Sequence, residues 1–247
     1  MSIETPEELE ALRRAGAVVR KMLEAMKQAV VPGISTAALD EIGARVARAH
    51  GAQSAPMLVY KFPGFNCISL NEEAVHGIPS ESRKVKSGDI VKLDVTIELD
   101  GFMADAAESV VCGEGTEAAH QLIACAQQAF REAMAVAVAG RMVRDIGRKV
   151  NTAVRRQGFE VIRELTGHGI GRRIHEQPTV PNYADPAQRD VLTEGLVLTV
   201  EPIIAAGKGR SVTEDDGWTI RTADRSMSAH YEQTLVITRG EPILLTV

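Results

Sequence analysis

Asp94 and Asp105 lie on either side of Asp100-Gly101, the strongest short signal for a two-residue hairpin, because both central positions of a type I′ turn need positive φ. Val91, Leu93, Val95 and Ile97 alternate with Lys92, Asp94 and Thr96, the period of a strand with one buried face. In the two-residue register Thr96 faces Asp105 and Asp94 faces Ala107. The two carboxylates then share the face that the aliphatic residues do not use, as diagonal neighbours with Cβ atoms about 7–8 Å apart. Carboxylates so placed repel each other unless a cation lies between them, and a hard divalent ion prefers oxygen ligands.

Three further groups extend that chemistry. His168 stands in Thr166-Gly167-His168-Gly169-Ile170-Gly171, where the glycines permit close backbone approach. Imidazole is the commonest metal ligand. Glu201 closes the aliphatic run Leu196 to Val200, where an unpaired carboxylate would be costly to bury. Glu232 lies in Ala229–Thr238, read as one strand, and shares parity with His230 and Thr234. Four carboxylates and one imidazole are a sensible set for two neighbouring divalent ions with bridging carboxylates. His175, seven residues after His168, and His76, before Gly77-Ile78-Pro79, complete the inventory of reactive side chains.

The elements that must place these residues are legible in outline. Thr5-Pro6-Glu7-Glu8 predicts a helix start with Thr5 as N-cap and Glu8 closing a capping box, and Val31-Pro32-Gly33 ends that helix. Ser35 or Thr36 caps a second helix that stops at Gly51. A second copy of the plan begins at Thr116, runs to near Gly140, and continues with a helix through Ile146, Val150 and Val154 to Gly158. Ile42-Gly43 matches Ile146-Gly147 at an offset of 104 residues, and Gly88…Asp94 matches Gly195…Glu201 at an offset of 107. These echoes predict one domain over 1–247 built from two pseudo-symmetric α+β halves, roughly 1–110 and 111–247, each bringing a carboxylate to a shared seam. The segment Pro56 to Cys67, interrupted by Pro63-Gly64, reads as a packed loop over the sheet or as one wall of an apolar pocket.

A chain of 247 residues with 45% hydrophobic and 4% aromatic residues is an ordinary globular composition with room for a substantial core. A net charge of −5 argues against a nucleic-acid binder. The N-terminus is acidic and lacks the apolar core of a signal peptide, and no apolar run is long enough to span a bilayer. The three cysteines have no zinc-type spacing and their odd number fits no complete disulfide set, so the expectation is a reduced, cytoplasmic protein with no membrane partner.

Taken together, Asp94-(ten residues)-Asp105, Thr166 to Gly171, Glu201-Pro202 and Tyr231-Glu232-Gln233-Thr234, with Asn71-Glu72…His76-Gly77-Ile78-Pro79 and Asp216-Gly217-Trp218, resemble the type I methionine aminopeptidases over nearly the whole chain. The resemblance is to the short form, without the N-terminal zinc-binding extension of some members and without the insertion that marks type II. It implies the "pita-bread" fold, with a central curved antiparallel sheet and outer helices. It implies two metal ions, cobalt, manganese or iron(II), with Asp105 and Glu232 bridging, Asp94 completing one site, and His168 and Glu201 the other. By the same likeness Glu201 is the general base, His175 polarises the scissile carbonyl, and His76 stabilises the tetrahedral intermediate. Thr96 would hold a water at the metals, and Phe62, Cys67, His76, His175 and Trp218 would contact substrate. The implied substrates are N-termini of nascent polypeptides with a small second residue, met at the ribosome by a monomeric enzyme. Three positions depart from the family pattern. Ala106-Ala107 follow Asp105 where a hydroxyl residue is common, Ile174 precedes His175 where an aromatic is usual, and Gln233 follows Glu232 where a His is common. A proline-directed peptidase of the same fold, which generally carries an additional N-terminal domain, and a relative that binds without cleaving are the competing expectations.

Overall fold

The computed structural model describes residues 1–247. Its helices are α1 (Pro6–Gln28), α2 (Thr36–Ala49), α3 (Ala55–Tyr60), α4 (Glu117–Met134) and α5 (Val143–Arg156). Its strands are β1 (Gln53–Ser54), β2 (Cys67–Leu70), β3 (Glu73–Val75), β4 (Ile90–Leu99), β5 (Phe102–Val111), β6 (Glu160–Val161), β7 (Thr166–Gly169) and β8 (Glu176–Pro181). They continue with β9 (Val197–Val200), β10 (Ile203–Ala205), β11 (Ser211–Thr213), β12 (Ile220–Thr222), β13 (Ser228–His230), β14 (Glu232–Val236) and β15 (Ile243–Leu244).

The β4–β5 hairpin forms in the expected register, with Thr96 opposite Asp105 and Asp94 opposite Ala107. Asp100 and Gly101 both take positive φ, as a type I′ turn requires. The hairpin belongs to one antiparallel sheet whose path runs β1-β4-β5-β14-β9-β7-β8. Val91, Leu93, Val95 and Ile97 lie on the face covered by α1 and α2, in a core with Leu23, Met26 and Leu39. Leu198, Val200 and Leu235 pack with Leu122, Phe130, Ile146 and Val150 of α4 and α5. The helices thus sheathe one side of the sheet and leave the other side for chemistry. No helix is long and apolar enough to cross a membrane.

Several local expectations change. Thr5 caps α1 by accepting from the Glu8 N–H, but the Glu8 carboxylate accepts from the Glu4 N–H, one residue upstream of where a closed capping box would put it. Ser35 rather than Thr36 caps α2. The helix from Thr116 stops at Met134, and Val138 then bridges to Thr238 before Gly140 turns the chain. The segment Pro56 to Cys67 begins within the short helix α3 instead of running as a loop throughout. Ala229–Thr238 is two strands, broken at Tyr231, and β13 and β14 belong to different sheets.

One close approach fixes α1 against the C-terminal segment. A Cβ at Gly16 would lie 2.0 Å from the Leu245 carbonyl oxygen and 2.6 Å from its carbon. Helix propensity alone would favour alanine by about 1 kcal/mol, but the obstacle is backbone and cannot rotate away. Gly16→Ala is therefore expected to destabilise by about 1–3 kcal/mol, the usual cost of overpacking. Urea denaturation should show a lower midpoint at unchanged slope, and an equal or higher midpoint would overturn this account of the contact.

Candidate metal centre

Five neighbouring strands, β4, β5, β14, β9 and β7, each deliver one candidate ligand: Asp94, Asp105, Glu232, Glu201 just beyond β9, and His168. Asp94, Ala107 and Glu232 form one cross-strand row. Successive strands lie about 4.8 Å apart, so the two acids bracket a gap about 9–10 Å wide at the backbone. The departure at Ala107 has its place here, because its methyl group leaves the space between them open.

The side chains are steered by neutral hydroxyls and amides. Thr234 Oγ1 accepts from the Asp105 N–H at 2.9 Å and donates to the Asp105 carbonyl at 2.8 Å. Thr199 Oγ1 donates to Glu201 Oε1 at 3.2 Å and accepts from the His168 N–H at 3.1 Å. Asn182 Nδ2 donates to the Glu201 carbonyl at 2.8 Å. His168 Nδ1 donates to the Gly169 carbonyl at 2.9 Å, which leaves Nε2 with its lone pair facing Asp105 Oδ2 at 4.0 Å and Glu201 Oε1 at 3.7 Å.

Burial and mutual repulsion govern the charges. Burial raises Asp94 to about 7, with His230 opposing the rise and Glu232 adding to it. Burial raises Glu232 to about 8. Asp105 and Glu201 are pushed well above the usual carboxylate range, by burial first and then by the neighbouring acids. His168 falls to about 4 through burial and the nearby His175. The buried atoms Asp105 Oδ1 and Glu232 Oε1 have no hydrogen-bond partner. Orphaned anionic oxygens in a dry seam are costly, and oxygen-rich sets with one imidazole suit divalent ions. The donor set therefore fits a divalent metal, with Asp105, His168 and Glu232 bringing ligand atoms within 4.8 Å of one another.

All these groups line a cavity of about 1010 Å³ that also takes in Phe62, Cys67, His76, Thr96, His175 and Trp218. Every residue singled out in the sequence for metal or substrate is therefore on its wall. Phe62 and Trp218 meet edge to face, centroids 5.2 Å apart at 84°. Cys67 pairs with Asp94 across β2 and β4, and burial, then the nearby Asp94, raises its thiol well above the ordinary range. His175 lies with its ring centroid 4.3 Å from that of His168, and the Tyr60 hydroxyl is 2.5 Å from its Nδ1. His76 takes positive φ at 58° and is exposed on the wall of the cavity. Crowding by protein lowers its pKa to about 4, helped by His230 and His175. Ile174 is buried on the same wall. Gln233 points away from the centre: Thr246 Oγ1 donates to its Oε1 at 2.5 Å, and its Nε2 donates to the Tyr231 hydroxyl at 3.4 Å.

Two lining residues escaped the sequence reading. Tyr60 sits on α3, whose Met57, Leu58 and Val59 are exposed beside it, and no pattern marks its contact with His175. His230 is 2% exposed and lies 3.4 Å from Glu232 Oε2 and 3.7 Å from Glu201 Oε2. Its shared parity with Glu232 was the available signal.

The chain is similar to several known proteins. The model of metallopeptidase family M24 matches residues 10–239. The chain is 46% identical over its full length to methionine aminopeptidase 2 of Bacillus subtilis, covering 99% of that protein. It is 39% identical to methionine aminopeptidase of Escherichia coli K12, covering all of this chain and 94% of that one. The solved methionine aminopeptidase of Thermotoga maritima superposes with a TM-score of 0.96 at 34% identity, covering 100% of this chain and 99% of that one. Prolidase of Pyrococcus furiosus shares the fold, with a TM-score of 0.79 at 20% identity over 99% of this chain and 65% of its own.

Proposed function

The chain belongs to the methionine aminopeptidases of metallopeptidase family M24, hydrolases that remove N-terminal methionine, and we propose that Asp94, Asp105, His168, Glu201 and Glu232 hold the divalent metal as a pair of ions. The observation that carries this assignment is the convergence of five ligands from five adjacent strands, with oxygens of Asp105 and Glu232 buried and unpartnered. Asp105 and Glu232 lie toward the middle of the five and would be held in common by the two ions. Cobalt, manganese and iron(II) all suit the ligands, and availability selects among them.

Bound divalent ions supply the Lewis acidity that turns water into a nucleophile near neutral pH. Thr96 orients that water, and Glu201 takes its proton and delivers it to the leaving amine. His175 donates to the scissile carbonyl, with Tyr60 setting its ring. His76 donates to the oxygen on which charge develops. Phe62, Cys67 and Trp218, beside His76, make the methionine pocket. The thioether is polarisable and favours aromatic edges, which the edge-to-face pair provides.

The substrates are the N-termini of nascent polypeptides with small second residues, met at the ribosome by a cytoplasmic monomer. The unpaired state of Cys67, Cys112 and Cys125 accords with a reducing compartment. We further read residues 1–247 as one domain with halves near 1–110 and 111–247. Each half packs a helix pair on its own strands, and Gly43 and Gly147 both sit at close approaches: added Cβ atoms would lie 2.6 Å from Met26 Sδ and 2.3 Å from the Pro181 carbonyl oxygen.

Hydrolysis of a Met-Gly-x peptide that stops with chelator, with no release from an x-Pro peptide, is the expected result. Cleavage of the x-Pro peptide, or of neither with metal bound, would replace this reading by one of its competitors. Within the pocket, one methylene of misfit is worth about 1–3 kcal/mol. Norleucine at the first position should therefore be cleaved with kcat/KM lowered by no more than about two decades, while N-terminal Lys or Phe should be refused. Efficient release of either would contradict the pocket assignment.

A further inference from the structure

His230 is the one imidazole beside the carboxylates for which the reaction above has no use. It is buried to within 2% of complete, and neither ring nitrogen has a hydrogen-bond partner. Its position is nevertheless held. The His230 N–H donates to Ser109 Oγ at 2.9 Å, and Ser109 Oγ donates back to the His230 carbonyl at 2.8 Å. Two residues earlier, the fully buried Lys92 donates to the Ser228 carbonyl at 3.1 Å and to its Oγ at 3.2 Å. The break at Tyr231 then separates β13 from β14. His230 Nε2 meets the carboxylate pair Glu201 Oε2 and Glu232 Oε2, while His168 Nε2 meets Glu201 Oε1 from elsewhere. A ring placed this firmly, with both nitrogens unpaired, carries a desolvation cost that a ligand would remove.

We propose that His230 is a metal ligand of this centre. Glu201, His230 and Glu232 bring ligand atoms within 4.8 Å of one another, as Asp105, His168 and Glu232 do. The two triads have the same composition, one imidazole and two carboxylates, and they share Glu232. Glu201, with Oε1 toward His168 and Oε2 toward His230, lies between the two imidazoles, and the centre then has two nitrogen donors where the five-ligand assignment gives it one. Carboxylates suit manganese and magnesium, whereas added imidazole shifts a site toward iron, nickel, copper and zinc. The inference rests on the metal-centre reading above and adds one ligand to it.

The test counts imidazoles on the loaded protein, independently of turnover. The full chain is loaded with Co²⁺, its metal content is measured by elemental analysis, and its paramagnetically shifted, solvent-exchangeable imidazole N–H protons are observed by NMR. The wild type should bind two Co²⁺ and show two such resonances. His230→Gln keeps a buried polar side chain and should lose one resonance, with the second ion bound about 10–100-fold more weakly by calorimetry. A wild type holding two ions with a single shifted resonance overturns the proposal, as does a folded His230→Gln variant that keeps both resonances. If that variant fails to fold, the wild-type count still decides. Failure to bind any Co²⁺ would instead remove the metal centre itself.

Discussion

Glu201→Gln lowers kcat by roughly 10²–10⁴-fold, the usual contribution of a positioned general base, in a chain that still folds. The side chain closes an aliphatic strand, and its environment is already committed to it. The Thr199 hydroxyl donates to Oε1, and the backbone carbonyl is held by Asn182. A glutamine amide fits the same volume and can take the Thr199 bond through its own oxygen, so little stability is lost. What disappears is the ability to accept a proton. In the metal-free chain burial, reinforced by Glu232, Asp105 and Asp94, raises this acid well above the ordinary range. Pre-steady-state hydrolysis of a Met-Gly-x peptide, with elemental analysis of the same sample, checks both halves of the claim. Near-normal turnover with metal retained would rule Glu201 out as the base.

Metal affinity should fall by about tenfold per pH unit for every proton displaced on binding, so that two protons would cost about four decades between pH 8 and pH 6. Asp94 near 7 and Glu232 near 8 take up their protons within this window in the chelated chain, and Asp105 and Glu201 are raised as well. These groups must ionise to ligate. The same shifts act on stability with a definite sign. An acid raised on folding binds more protons in the folded chain than in the unfolded one. Its stabilisation is full below the unfolded carboxylate range and is lost as pH rises through 7 to 8. The buried His168 and His230, and His76 on the cavity wall, are lowered to about 4 and run the other way, but their effect is complete by about pH 6.5. Lys92, lowered to about 7, also adds stability as pH rises above its folded value. From 6.5 to 8 the four acids outweigh that single lysine, so the chelated protein should melt lower at pH 8 than at pH 6.5. Metal at a hundred times its dissociation constant adds about 2.7 kcal/mol if the unfolded chain binds none. The rise in Tm on adding a fixed concentration of Mn²⁺ or Co²⁺ should therefore be larger at pH 8. Equal rises at the two pH values would show that the carboxylates are not the groups being deprotonated.

The hairpin was legible because two local codes agree there: alternation in β4 and positive φ at Asp100-Gly101 specify the same register. The shared face of Asp94 and Asp105 followed from parity alone. Glu201 was legible because an acid at the end of Leu196 to Val200 has no solvated alternative. His230 was not, since its role depends on the chain breaking at Tyr231 and on Ser109, 121 residues away in sequence, holding its backbone. The end of α4 at Met134 also escaped, because Ala135 to Ala139 continue an apolar, helix-compatible composition while a bridge to Thr238 and a bond from the Ala139 N–H to the Thr238 carbonyl draw the backbone out. Non-local partners decided each of the features that local pattern could not reach.

The sheet order β4-β5-β14-β9-β7 also constrains how the chain can be made. β14, residues 232–236, is inserted between β5 and β9, strands completed 121 and 32 residues earlier. During synthesis from the N-terminus, β5 and β9 must each wait with an open edge for the strand that will join them. Unpaired edges on aliphatic strands invite pairing with other chains, and such long-range closure is slow. The β5-β14-β9 junction is thus sealed only after every other strand of the sheet except β15 has been made. The strand that seals it brings Glu232, so an intermediate lacking β14 lacks the shared carboxylate too.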